Sequence, residues 1–260
     1  MTVPVPDYPP ARNLLKDKTV VVTAAAGTGI GFSVAKRAAE EGARLLISDI
    51  HARRLDEAVE RIAQDTGARP ASRLCDVTKE DDVLALRDAA REELGHVDVL
   101  INNAGLGGHA SVVEMTDEQW TRVLDVTLTS VFRMSRAFLP MMYARKCGTI
   151  VNNASVLGWR AQAGQAHYAA AKAGVMAFTR CSAIEAAEHG VRINAVSPSI
   201  AMHPFLAKVT TPEQLDKLAA QEAFGRPAEV WEVANVMIFL ACDLSSYLTG
   251  EVIAVSSQRA

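Results

Sequence analysis

Tyr168 and Lys172 stand four residues apart, so on a helix they share one face. An ammonium near a phenol favours the phenolate and lowers the phenol pKa. That makes Tyr168 a usable general acid or base near neutral pH; the bland alternative is a surface Tyr–Lys pair. Ser155 lies thirteen residues before Tyr168, just past a β-branched run. Its hydroxyl there is placed to bond a substrate oxygen or to cap a helix.

A second group of residues suits a dinucleotide. The first apolar run leads into Ala24-Ala25-Ala26-Gly27-Thr28-Gly29-Ile30-Gly31, with a helical stretch after it. Glycines at such a turn let the backbone approach a pyrophosphate, which sits at the positive helix N-terminus. A tight turn with no ligand is the competing reading. Asp49 follows Gly31 by eighteen residues, at the end of the second run. A carboxylate there accepts both ribose hydroxyls of NAD and repels a 2′-phosphate, or else it caps the helix expected over Arg53–Asp65. Arg53 and Arg54 follow closely and leave NADP open. Asp76 ends the third run in Cys75-Asp76-Val77, positioned for an adenine amine or for starting the next helix.

Elements must hold these side chains. Strands are expected at Thr19–Thr23, Ala43–Ser48, Ala71–Cys75, Val97–Ile101, Thr149–Asn153, Val191–Val196 and Val252–Val255. They are nearly continuous apolar runs, as in parallel strands buried on both faces. Helical stretches alternate with them, punctuated by a Thr116/Gln119 capping box and by Thr211-Pro212-x-Gln214. Gly42, Gly67, Gly95 and Gly190 stand where helices should end. The alternation predicts an α/β fold: a Rossmann-type, doubly wound parallel sheet of about seven strands, helices on both faces, in one domain over 14–260. An extended, proline-rich arm precedes it over 1–13. The stretch 197–226, after the sixth strand, is the natural substrate lid, because ligands bind beyond the carboxyl ends of such strands.

Composition narrows the functions. With 27 basic and 30 acidic residues among 260, the formal charge is −3, so no basic excess points to nucleic acid or an anionic membrane. At 5% aromatic content, a stacking platform for single strands is not expected. Cys75, Cys147, Cys181 and Cys242 lack CxxC spacing and read as reduced core residues, with no metal site. No apolar run is long enough for a membrane span, and the N-terminus does not read as a signal peptide. A cytoplasmic location is expected.

Taken in order, these residues resemble the short-chain dehydrogenase/reductase family from about residue 14 onward. The resemblance rests on Gly29-Ile30-Gly31, Asp49, Asp76, Asn102-Asn103-Ala104-Gly105, Ser155, Tyr168-x-x-x-Lys172 and Arg192-Ile193-Asn194-Ala195-Val196-Ser197-Pro198. It implies that Tyr168 moves the proton at the substrate oxygen, Ser155 bonds that oxygen, and Lys172 holds the nicotinamide ribose and lowers the Tyr168 pKa. It implies cofactor contacts at Thr28, Gly29, Ile30, Asp49, Asp76, Val77, Asn103, Gly105, Tyr168, Lys172 and Ile200, with NAD as cofactor and NADP not excluded. The activity implied is interconversion of a secondary alcohol and a ketone. Segments Thr23–Gly31, Asn152–Gln162, His167–Ala187 and the ending Ser256–Ala260 are similar to family members of actinobacterial sterol-ring catabolism. That similarity implies a hydrophobic or CoA-thioester substrate, such as a hydroxylated indanone propanoyl-CoA; a 3-oxoacyl thioester or small ketone is the alternative. A non-catalytic dinucleotide sensor is the reading from another class. A homotetramer is also implied, with the helices of Thr127 and Tyr168 at one interface.

Several positions depart from the family pattern. The glycine turn carries one extra residue. Thr127 stands where an asparagine that holds a proton-relay water is usual, and a helical threonine hydroxyl tends to bond backbone. Ser199 replaces a glycine, His203 a threonine, and Ser256-Ser257-Gln258 an Asp-Gly-Gly. In the lid, Ile200, Met202, Phe205, Leu206 and Val209 suit an apolar substrate, and Lys208 and Lys217 suit CoA phosphates or solvent. Trp159 is expected at the substrate wall or in the core at a subunit contact, and His109 in a loop near the pocket.

Overall fold

The computed structural model describes residues 2–203 and 211–257. Phe205, Leu206, Lys208, Val209 and Gln258 lie outside the described residues. Nine strands form among the described residues: β1 (Thr19–Val22), β2 (Arg44–Asp49), β3 (Ala71–Leu74), β4 (Val99–Asn102), β5 (Gly148–Asn153), β6 (Val191–Pro198), β7 (Ala201–Met202), β8 (Ala228–Glu229) and β9 (Val252–Val255). Seven of them make one parallel sheet in the order β3-β2-β1-β4-β5-β6-β9. All seven expected strands are present, with ends shifted by at most two residues. The helices are α1 (Ile30–Glu40), α2 (Ala52–Thr66), α3 (Glu80–Leu94), α4 (Asp117–Leu124), α5 (Ser130–Arg145), α6 (Ala166–Ala187), α7 (Pro212–Gln221) and α8 (Val230–Ala241).

Side chains alternate across the sheet as the strand period demands. Val20 and Val22 of β1 pack with α1, α2 and α8, while Val21 packs on the other face with α3 and α5. β1 and β4 are buried along their whole length, in keeping with their apolar stretches Val20–Val22 and Val99–Ile101. The two edge strands are the exceptions: β3 has Ser72, Arg73 and Leu74 exposed, and β9 is only partly buried, with Ala254 exposed, so the expectation of burial on both faces fails at both edges. Of the cysteines, Cys75 and Cys242 are buried, whereas Cys147 and Cys181 are exposed rather than core; all four are free thiols.

Local signals act where the sequence places them. Thr116 and Gln119 form the reciprocal capping box of α4, and α7 begins at Pro212. Gly42, Gly67, Gly95 and Gly190 end their helices with positive φ. Residues 2–13 carry no regular structure and run along α1. Arg37 donates to the carbonyls of Pro9 and Pro10, and Tyr8 sets its ring edge-on to Trp231 at 5.4 Å. Past β6, β7 pairs with β8, tying the start of the expected lid to the residues beyond its end. Among the described residues no helix is long and apolar enough to cross a membrane.

Candidate active site

The strand order reverses at β1 and β4. The segments leaving them go to opposite faces, opening a crevice at their carboxyl ends. On one side of the crevice is the glycine turn. Gly31 has no room for a side chain: a Cβ would stand 2.2 Å from Ala24 O and 2.4 Å from Asn103 Nδ2. At Gly27 and Gly29 a Cβ would meet nothing within 4 Å. Ala25 is fully buried, whereas Ala26, Gly27, Thr28, Gly29 and Ile30 are partly exposed. The first turn of α1 has neither an acidic residue nor a side-chain cap, leaving its N–H groups to a phosphate. These features fit a dinucleotide.

Asp49, at the end of β2, is buried. Its Oδ2 accepts Ala26 N–H at 3.1 Å and its Oδ1 accepts His51 N–H at 3.0 Å. It does not cap α2, whose N-cap position is His51. Asp76 Oδ1 accepts both the backbone N–H and the hydroxyl of Thr78. Burial alone would raise its pKa, but the Thr78 hydrogen bonds and the nearby Lys79 and Arg133 cations hold it below the usual range. Asp76 lines a cleft with Thr78, Asp125 and Val126, and Val77 is buried among the α3 core residues.

Asn103 is a bracket. Its amide donates to Thr23 O and Ala24 O, its carbonyl accepts from Asn153 Nδ2, and its backbone N–H goes to Thr23 Oγ1. It therefore locks the turn after β1 to β4 and β5. Beneath it, Asn102 Nδ2 donates to Asn152 Oδ1, and Asn152 Nδ2 to Thr179 Oγ1, all three buried. Neither Thr23 nor this ladder was anticipated; the doubled asparagines ending two neighbouring strands are the signal that could have found them.

Tyr168 stands on α6 and Ser155 in the turn after β5. Ser155 Oγ accepts Leu157 N–H at 3.2 Å, so it does cap the short 3₁₀ turn Val156–Gly158, and it stands near enough to Tyr168 to favour the phenolate. Both line a cavity of about 520 Å³, together with Ile30, Asn153, Ile200 and His203. Lys172 is 2% exposed and donates to Asn153 O. Its Nζ lies 5.6 Å from the Tyr168 ring centre, and a Cβ on Gly105 would come within 3.4 Å of it. Burial pushes the Lys172 pKa down to about 7. Burial also raises the Tyr168 pKa, against the lowering effect of Ser155. The expected lowering by Lys172 is thus not what this arrangement gives: the lysine is itself desolvated and turned to a carbonyl.

Thr127 falls in a π-helical turn, Asp125–Thr129, between α4 and α5. Such single turns favour functional sites. Its hydroxyl donates to Leu106 O at 3.1 Å and accepts Leu106 N–H at 3.0 Å. The backbone it bonds is that of the loop after Gly105, not its own helix. His109 packs its ring on Gly164, and burial lowers the pKa of His203. Trp159 is 51% exposed and does not line the cavity, so it is not core. Among the described residues no cluster of His, Cys, Asp and Glu is arranged for a metal.

A family profile described as enoyl-(acyl carrier protein) reductase matches residues 24–257. The chain is 62% identical over 251 residues to a (5R,7aS)-5-hydroxy-7a-methyl-1-oxo-2,3,5,6,7,7a-hexahydro-1H-indene-carboxyl-CoA reductase of Mycobacterium tuberculosis, covering 95% of each chain. A crystal structure of a short-chain dehydrogenase from Mycobacterium smegmatis superposes with a TM-score of 0.88 at 57% identity, over 99% of each chain. An NAD⁺-bound xylitol dehydrogenase superposes at 0.87 and 29% identity, over 94% of this chain and 99% of the other. The chain is a member of the short-chain dehydrogenase/reductase family, an oxidoreductase of CH–OH groups that uses a nicotinamide dinucleotide.

Proposed function

We propose that the protein interconverts a secondary alcohol and a ketone on a hydroxylated, methyl-substituted oxo-hexahydroindene carboxyl-CoA, with NAD as cofactor. The observation that carries this reading is Ser155 and Tyr168 together on the wall of one cavity, with Lys172 buried one helical turn from Tyr168. The substrate and its carboxyl-CoA group are taken from the 62%-identical mycobacterial reductase.

The residues divide the work. Ser155 donates its hydroxyl proton to the substrate oxygen while Leu157 N–H fixes its Oγ. Tyr168 Oη gives the proton to that oxygen in reduction and takes it in oxidation. Lys172 would hold the nicotinamide ribose, its ammonium already steadied by Asn153 O. The nicotinamide, when bound, supplies the hydride chemistry. Thr28, Gly29 and Ile30 would offer backbone N–H groups to the pyrophosphate, Asp49 would accept from the adenine ribose, and Asp76 and Val77 would border the adenine. Asn103 and Gly105 shape the cleft, and Ile200 covers it. Thr127 takes the asparagine's place by clasping Leu106, which fixes Gly105 against Lys172.

Asp49 supports NAD over NADP, since a 2′-phosphate would approach a fixed carboxylate. Arg53 is drawn along its own helix to Glu57, so it does not offset that charge. The proposed assembly is a homotetramer in the cytoplasm, and 197–226 acts as the lid. Turnover of a panel of CoA thioesters, including hydroxylated indanone carboxylates, against their free acids tests the substrate. Preference for the indanone thioester is expected; preference for a linear 3-oxoacyl thioester would contradict it.

A further inference from the structure

Glu222 is a buried carboxylate that the proton transfer at Tyr168 does not use. It follows α7, lines the same cavity as Ser155 and Tyr168, and is 4% exposed. Its Oε2 accepts the backbone N–H of Ser257 at 3.0 Å and the Ser257 hydroxyl at 3.2 Å. Its Oε1 faces Arg160 Nη1 at 3.9 Å. Burying a carboxylate is expensive unless it is bonded and charge-compensated, and here both conditions are met by the same small cluster.

Glu222 is also held rigidly. Phe224 N–H donates to Ser257 Oγ, Val3 N–H donates to Phe224 O, and Arg226 Nε donates to Val3 O. Three distant segments therefore converge on it: the N-terminal arm, the end of α7 and the tail after β9. What this anchored carboxylate faces is the guanidinium of Arg160.

Arg160 follows the Ser155 turn. It is the one arginine or lysine among the described residues lining the cavity. Its side chain is 35% exposed. Among the described residues only one of its five guanidinium N–H donors is hydrogen-bonded, from Nη2 to Ser256 Oγ at 3.4 Å. A cation whose charge is balanced by Glu222, yet whose donors remain available, suits a neutral acceptor better than a second anion. We infer that Arg160, set in place by Glu222 and Ser256, is a specificity-determining residue that donates to a neutral carbonyl oxygen on the substrate, apart from the reacting alcohol. The inference rests on the proposed function, since a ring ketone distinct from the hydroxyl is what the related reductase's substrate name carries.

The test uses the full-length, cofactor-loaded enzyme and two probes: a hydroxylated methyl-hexahydroindanone carboxyl-CoA, and the same alcohol thioester lacking the ring ketone. The wild type should favour the ketone-bearing alcohol. Arg160→Met should cut that preference by about tenfold or more, mainly through KM. Its kcat on the ketone-free alcohol should stay within about twofold, and Arg160→Lys should restore part of the preference. An unchanged preference would overturn the inference. If Arg160→Met fails to fold, Glu222→Gln carries the test. It leaves Arg160 uncompensated and should shift preference from the ketone toward an analogue with a carboxylate in its place; no shift overturns the inference. If the wild type turns over neither alcohol, the proposed substrate class fails. Equilibrium binding of the two probes to wild type and Arg160→Met then decides the inference by itself, in the same direction.

Discussion

Lys172 carries the largest electrostatic strain in the site. Burial pushes its pKa down to about 7, against about 10.4 in the unfolded chain. Between these values the unfolded chain binds more protons than the folded one, so this lysine makes stability rise with pH from about 7 upward. Below about 7 both states are protonated, and the penalty of the buried ammonium is fully present. Lys172→Met should therefore stabilise the fold by a few kcal/mol near pH 6, with the gain shrinking toward pH 10. Urea midpoints across that range check it, and a pH-independent difference would contradict it. Asp49 makes a second prediction at this scale. Asp49→Asn keeps the shape and removes the charge that opposes a 2′-phosphate. The ratio of kcat/KM for NAD over NADP should fall by about tenfold, equivalent to about 1.4 kcal/mol. A wild-type preference for NADP would refute the role given to Asp49.

At the scale of elements, the site is made by three turns: after β1, after β4 and after β5. Asn103 and Thr23 fasten the first two together, and Asn153 fastens the third to Asn103. Gly31 is where this assembly is tightest. Gly31→Ala would drive a methyl into Ala24 O and the pinned Asn103 amide, so a loss of about 1–3 kcal/mol is expected. Weakened cofactor binding should accompany it. Denaturant midpoints and a cofactor titration measure both, and an unperturbed variant would mean the turn is looser than described. The strands and the helix ends were legible because burial and caps leave local marks: β1 is all valine after its threonine, and α4 opens on a complete capping box. Ser72 and Arg73 mark β3 as the least apolar of the runs, but its edge position follows from topology, and nothing in Ala71–Cys75 records which neighbour is missing. The brackets around Asn103 and the clasp of Thr127 on Leu106 were hidden for the same reason, as each joins residues distant in sequence. Lys172 shows the limit most clearly. Its spacing from Tyr168 was readable, but the desolvation that lowers its own pKa depends on everything packed around it.

For the whole molecule, two surfaces matter: the crevice at the carboxyl end of the sheet and the outer faces of α4, α5 and α6. The latter expose Trp120, Phe132 and Ile184, large apolar groups on neighbouring helices, as expected of a face covered by another subunit. A homotetramer is predicted by light scattering, and Ile184→Asp should reduce the assembled mass. A monomeric wild type would contradict the proposed assembly. The N-terminal arm belongs to this scale too. It links the C-terminal end of α1 to the residues around Phe224.

The central claim is that Tyr168 moves the proton at the substrate oxygen while other residues hold the cofactor. Tyr168→Phe removes one hydroxyl and leaves the ring. Single-turnover rates with the indanone carboxyl-CoA, measured beside a cofactor titration, test it most directly. The account predicts a loss of about 10²-fold or more in rate, with cofactor affinity retained. Turnover at the wild-type rate would contradict it.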